Sequence, residues 1–376
     1  MKVVSLFANI GVAEAFLEEI GFNVVVANEF VPRRAELFEK IYPKTKTISG
    51  DFSSSEIFQQ VVDHSIKHNA DIVMATPPCQ GMSTAGQQKK DDHRNNLIIP
   101  TIKFIKLVNP KYVFIENVPQ FLKTAIRYDG KKILIPDLII EELGAKYEIQ
   151  LNVVATQDYS VPQTRERAIL LMTRKDVHKK WYLPDPDPKK ITLEDAIGHL
   201  PPLDPFIKDV TEKELLQIFP NFYERRECAL KISHWHKPPH HVKRQVIVMM
   251  HTPTGKSAFN NHKHKPIKDN GEAIKGFANT YKRQHWDRPA YTITMDNVKI
   301  SSQNNVHPGK CIGKNSEGDD IYSEPRTLTL HELMRLMTLP DDWAVPPNTS
   351  DAFLRRIIGE GIPPMLVKKI FEVLKN

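Results

Sequence analysis

Cysteine is scarce in this chain: Cys79, Cys228 and Cys311 are the only three in 376 residues. So few, odd in number and widely spaced, they exclude a disulfide framework and a cysteine-rich zinc module. No apolar run approaches the length that a bilayer span needs. The opening residues, MKVVSLFANIGV, lack the basic start, long apolar stretch and small-residue cleavage site of a secretion signal. The expectation is a cytoplasmic protein with no membrane partner. A lysine-bearing glycine loop of the triphosphate-binding kind is missing as well, as are internal repeats and low-complexity tracts.

What is present is ordinary in bulk and uneven in detail. Apolar residues make up 40% and charged residues 26% of the chain, enough for one large domain and a smaller one. The net charge is +7, but its distribution carries more meaning. Between positions 225 and 288 stand 14 Lys or Arg against four acids, Glu227, Asp269, Glu272 and Asp287. The rest of the chain is therefore slightly acidic, and the basic block is the footprint expected of a polyanion partner. The His-rich part of this block (His234, His236, His240, His241, His262, His264) shows no metal-ligand spacing. No metal site is expected, and these groups read as polar, partly protonatable side chains beside the polyanion.

Short β-rich runs at 3–7, 24–27, 72–75, 112–115 and 168–172 alternate with helical patterns at 12–20, 34–41, 55–67 and 97–107. Strands alternating with helices predict an α/β fold with a doubly wound, mostly parallel sheet. After a stiff stretch with Pro184, Pro186 and Pro188, Thr192 to Asp195 fits a capping box. From 201 the periodicity weakens, and helical spacing returns at 329–337 and 364–374. The expected organisation is 1–200 plus 345–376 as one domain, with 201–344 as a smaller, loop-rich domain and return segment.

Three features at successive strand ends point to a nucleoside-containing cofactor. Phe7-Ala8-Asn9-Ile10-Gly11-Val12 forms a turn where open α/β sheets bind ligands. Glu29, 18 residues after Gly11, is placed to accept from ribose hydroxyls, and Asp51 in Gly50-Asp51-Phe52 to accept from an adenine amino group. The sharpest feature follows the run at 72–75. In Thr76-Pro77-Pro78-Cys79-Gln80-Gly81-Met82-Ser83, two prolines stiffen the backbone ahead of a thiol. A lone cysteine is most often structural, but this one interrupts a strand instead of filling a core. Glu116 and Asn117 end the next strand and should share its sheet edge. Arg165 and Arg167, two apart in Gln163-Thr164-Arg165-Glu166-Arg167, point the same way, either into a site or out to solvent.

In order and spacing, residues 71–83, Glu116-Asn117-Val118 and 158–167 resemble the signature motifs of the DNA cytosine-5 methyltransferases. Residues 92–97 resemble the end of that family's mobile catalytic loop, and 288–294 and 328–341 its late motif. The resemblance covers nearly the whole chain apart from the variable basic segment. It implies methyl transfer from S-adenosylmethionine to C5 of a cytosine flipped out of double-stranded DNA. Cys79 would be the covalent nucleophile, a protonated Glu116 would serve N3, Arg167 would contact the base directly and Arg165 would support it. Phe7, Gly11, Glu29, Asp51, Phe52, Pro78 and Glu360 would hold the cofactor. Gln80, Ser83, Lys89, Lys90 and Arg94, on the loop that closes over the base, would meet DNA. The basic segment would recognise the target, in a restriction–modification system with a cognate restriction endonuclease as partner.

The chain departs from the family pattern at Ser5, where an acid is usual, and at Asn9 and Val12, where glycines are usual. It departs again at Glu360-Gly361, where Asn-Ala or Asn-Ser is usual. Two rival readings share these residues: methylation of RNA instead of DNA, and a non-catalytic DNA-binding relative that has lost its cofactor.

Overall fold

The computed structural model describes residues 1–78, 93–268 and 270–375. Its first half alternates as the sequence implies: β1 (Lys2–Leu6), β2 (Asn23–Glu29), α1 (Pro32–Ile41), β3 (Lys46–Ser49), α2 (Ser55–Lys67), β4 (Ile72–Ala75), α3 (Ile98–Val108) and β5 (Tyr112–Asn117). A hairpin of β6 (Ala125–Tyr128) and β7 (Lys131–Leu134) precedes α4 (Ile135–Leu143), β8 (Tyr147–Ala155) and β9 (Glu166–Arg174). Seven strands form one sheet in the order β3-β2-β1-β4-β5-β9-β8. Its first five strands run parallel, and β9 runs antiparallel to both its neighbours, β5 and β8.

Burial follows the period of two that a covered sheet requires. Val73, Ala75, Val113 and Ile115 pack with α2, α3 and α4 on one face. Ile72, Met74, Tyr112 and Phe114 pack with Trp181 and with α11 (Pro364–Glu372) on the other. Every residue of β4 and β5 is buried, which fixes their register and so the height at which each strand ends.

Residues 12–20, expected as a helix, are instead a succession of turns. The amides of Leu17 and Gly21 donate three residues back, to Glu14 and Glu18, and that of Ile20 reaches four back to Phe16. Glu14 is only 3% exposed and accepts from the Ser5 hydroxyl, so a polar side chain is drawn inward where a surface helix would turn it outward. Strand β8, which the sequence reading did not place, is an edge strand of alternating polar and apolar residues that leaves Leu151 and Val153 exposed.

The segment from 201 is richer in helix than its weak periodicity implies. After α5 (Leu193–Ile197), opened by the expected Thr192/Asp195 capping box, come α6 (Glu212–Ile218), α7 (Phe222–Ile232) and α8 (Lys243–Met250). A legible signal existed for α6, whose Thr211 and Glu214 also form a capping box. Helices α9 (Leu330–Leu336) and α10 (Asp351–Glu360) complete the chain before α11. Leu328, Leu333, Met337 and Leu339 share a core with Ile10, Val12, Leu37 and Ile41, so the return segment packs onto the first glycine turn and α1. No helix among the described residues is long and apolar enough to cross a membrane.

Two of the six histidines of the basic block are not placed as expected. His236 and His241 are buried, bonded to Thr329 and Thr327, and burial pushes both down to about 4, so they stay neutral. His307, Glu324 and Glu332 come within ligand reach of one another, yet the wholly buried Arg326 guanidinium lies between the two carboxylates, 2.7–2.8 Å from each. That cluster is a buried ion-pair network joining 326 to α9. The basic block is also less uniform than its count suggests, since Arg283 is buried on the Met249 and His307 carbonyls.

Candidate active site

The carboxyl ends of β1, β2, β4 and β5 and the start of β9 bring several of the sequence's candidates to one edge. The turn after β1 takes positive φ at Phe7 (61°), Asn9 (54°) and Gly11 (86°). At Gly11 no side chain fits, because a Cβ would fall 2.0 Å from the Tyr42 ring. Glu29, 6% exposed, accepts from the backbone amides of Asn9 and Val31, both at 2.9 Å, one on each carboxylate oxygen. Its pKa is raised by burial, against those bonds and the Arg34 charge. Asp51 is exposed and accepts from the Ser53 amide, while Phe52 is buried edge-on to Phe7 at 5.5 Å.

These residues fit the adenosine end of S-adenosylmethionine. A carboxylate pinned at the end of β2 keeps lone pairs for hydroxyl donors, and Asp51 keeps one oxygen for an amino group. The buried Asn9 amide oxygen has no hydrogen-bond partner among the described residues. Glu360 is tied to Arg34 at 2.8 Å and lies near enough to Glu29 to raise its pKa.

Two departures from the family pattern meet in space. A Cβ on Gly361 would stand 2.9 Å from Val12 Cγ1 and 3.2 Å from Val12 Cβ. The Val12 side chain therefore occupies the space that a Cβ at 361 would need. Gly361→Ala is expected to cost about 1–3 kcal/mol through overpacking, with much of the loss recovered in Val12→Gly/Gly361→Ala. A double-mutant cycle of urea unfolding checks this, and strict additivity of the two changes would contradict it.

Under the same turn, burial pushes the Glu14 carboxyl up to about 7. An acid with a raised folded pKa binds its proton more tightly when folded. Its contribution is intact below the ordinary value of 4.5 and is lost as pH rises to about 7, worth up to about 3 kcal/mol. Glu14→Gln should therefore gain stability relative to the parent between pH 5 and 8. Melting temperatures across that range check it, and a pH-independent difference would refute it.

Beyond β4, the Thr76 amide and hydroxyl bond the Leu6 and Phe7 carbonyls, and Asn117 Nδ2 donates to the Pro77 carbonyl at 3.0 Å. The sequence reading did not single out Asn117 as a site residue, although its place beside Glu116 was the signal. Cys79, Gln80, Ser83, Lys89 and Lys90 lie outside the described residues. Arg94 falls in the 3-10 turn His93–Leu97 that leads into α3.

Glu116 and Arg167 meet: Arg167 Nε lies 2.7 Å from Glu116 Oε1, and both groups are about nine-tenths buried. Burial raises the Glu116 pKa, opposed by the charges of Arg167 and Arg165. Arg165 is turned elsewhere, donating to the Ile293 carbonyl at 2.7 Å and the Gly359 carbonyl at 2.9 Å. Gln163, which the sequence reading quoted without assigning a role, accepts from the Ile293 amide and donates to the Leu336 carbonyl. Residues two apart, one just before β9 and one within it, thus divide the work. One faces the buried acid, and the other clamps the segments at 293 and 359 to the sheet. Gly359 must be glycine, since a Cβ would meet the Thr294 carbonyl oxygen at 2.3 Å.

A buried carboxyl against a guanidinium and a proline corner held by Asn117 stand at one edge of this seven-stranded α/β sheet, an arrangement of the methyltransferase fold. A solved Entamoeba histolytica methyltransferase, EhMeth, shares that fold at a TM-score of 0.60 and 14% identity, covering 100% of this chain and 97% of that one. The chain belongs to the C-5 cytosine-specific DNA methylases, matching that family over residues 1–376. It is 40% identical to the Type II methyltransferase M1.HgaI of Avibacterium volantium, over 99% of this chain and 97% of that protein. It is 25% identical to M.NgoPII of Neisseria gonorrhoeae, over 100% and 96%.

Proposed function

We propose that this DNA (cytosine-5-)-methyltransferase modifies a specific duplex sequence through a covalent bond between Cys79 and C6 of a flipped-out cytosine. It would act in the cytoplasm as the modification arm of a restriction–modification system, with a cognate endonuclease as partner. The observation that carries this reading is the Glu116–Arg167 pair, buried beside the corner from which Cys79 follows.

C5 of cytosine is a weak nucleophile, and thiolate addition at C6 makes it enamine-like. Cys79 supplies that thiolate. Glu116, its pKa raised by burial, holds a proton at N3 and draws electron density from C6. Arg167 orients Glu116 and serves the O2 edge, and Arg165 keeps this strand start docked. S-adenosylmethionine, when bound by Phe7, Gly11, Glu29, Asp51, Phe52, Pro78 and Glu360, supplies an electrophilic methyl group. Loss of the C5 proton and reopening of the Cys79–C6 bond free the product and the thiol. Since C6 is hidden in a stacked duplex, the base must be extruded, and residues 80–96 would close over it. Residues 201–344 hold target recognition, and their exposed cations meet phosphates.

Bisulfite sequencing of DNA from cells expressing the chain tests activity, base position and target together. Protected cytosines at one recurring sequence are expected. Methylation confined to transfer RNA in parallel turnover assays would overturn the reading.

A further inference from the structure

The β6–β7 hairpin carries a charge pattern that its own folding does not explain. Its tip, Asp129-Gly130, takes positive φ at both residues (46° and 78°), the two-residue turn that matches strand twist. The Ile135 amide closes its base on the Thr124 carbonyl. One face is anchored: Ile126 is buried in the main core, Ile133 packs against it, and the Tyr128 hydroxyl donates to Glu142. The other face sets Arg127 directly opposite Lys132 in the ladder, and both are exposed.

Like charges directly opposite on an antiparallel pair destabilise it. Here the repulsion is not relieved among the described residues. Lys123 and Lys131 are exposed nearby, and the segment's single acid is Asp129. Glu142 is committed to Lys106 and Tyr128, and none of the four cations forms an ion pair among the described residues. Location gives the pattern a use. The hairpin follows β5 through the 3-10 turn Pro119–Lys123, which lies against β9, the strand that carries Arg167. On its other side, β6 lies against the turn His93–Leu97. It therefore stands beside the end of the sheet at which β5 closes with Glu116 and Asn117.

We propose that the β6–β7 hairpin is a second phosphate-binding surface, gripping the backbone of the DNA duplex that flanks the target cytosine. This rests on the reading above that duplex DNA is the substrate. An anion between Arg127 and Lys132 turns a repulsive pair into a bridged one, and a rigid two-residue tip holds the cations without further ordering. The hairpin would work with the target-recognition segment as two grips, steadying the duplex while a base is extruded.

The test is duplex binding by the full chain with S-adenosylhomocysteine present, measured from 50 to 300 mM salt. Arg127→Gln/Lys132→Gln is expected to flatten the slope of log affinity against log salt by about 1–2, since each lost phosphate contact removes about 0.9. Affinity at low salt should fall about tenfold, with S-adenosylhomocysteine affinity unchanged and a melting temperature at or slightly above the parent's. Lys40→Gln/Lys67→Gln, at the opposite edge of the sheet, should leave the slope unaltered. If the parent chain is salt-sensitive and the hairpin variant keeps the same slope, or the Lys40/Lys67 variant flattens it equally, the hairpin proposal fails alone. If the parent chain binds no duplex, the functional reading fails with it.

Discussion

Cys79→Ala is expected to reduce methylation of duplex DNA below detection while leaving DNA and S-adenosylhomocysteine binding within a few-fold of the parent chain. The expectation follows from the chemistry of the base. Without a nucleophile at C6, C5 has no enamine character, and no other group in the proposed site can replace a thiolate. The surroundings suit a fixed attack. Thr76 is tied to the β1 end, Pro77 to Asn117, and a second proline removes another rotatable φ ahead of the sulfur. Radiolabelled methyl incorporation measures turnover, and gel shift with calorimetry measures the two bindings. Near-normal turnover by the alanine variant would end the covalent mechanism. Loss of both bindings would instead assign Cys79 to the architecture of the site.

Glu116→Gln should lower kcat by about 10²–10⁴, the usual contribution of a positioned proton donor, with little change in the Michaelis constant for S-adenosylmethionine. The amide keeps the shape of the carboxyl and can still accept from Arg167, but it cannot lend a proton to N3. The pH dependence separates this role from a structural one. Burial raises the Glu116 pKa, so its protonated form survives above the ordinary carboxyl range. The parent rate should fall as pH climbs through that raised value, whereas the thiolate requirement at Cys79 pulls the rate down at low pH. Glutamine removes the alkaline limb and keeps the acid one. A variant whose profile still carries both limbs would show that another group supplies the proton.

The hydrophobic pattern carried most of the first half of the fold. Strand β4 falls where four consecutive apolar residues stand, and α2 spans the predicted 55–67, because burial on both faces leaves a strand or helix little freedom of register. Elements with one wet face were harder to see. Strand β8 alternates polar and apolar residues, a period of two that was legible in 147–153, whereas helix α7 buries only Phe222 and Ala229 and so shows little period. The turn segment 12–20 misled for the opposite reason: its apolar spacing is helical, but a buried Glu14 bonded to Ser5 reshapes the backbone.

By itself, the sequence determined the chemistry available: a thiol behind two prolines, a carboxyl and an amide ending the next strand, two arginines two apart, and an acid after the glycine turn. Tertiary structure alone decided which of these groups face one another. It gave Arg167 to Glu116 and sent Arg165 to carbonyls 128 and 194 residues away. It also paired Val12 with Gly361, and took histidines that look titratable in sequence into a neutral core. The reason is physical. Residue type and local spacing fix what a group can do, while its partners and its proton affinity depend on burial and on contacts that close only when distant segments pack.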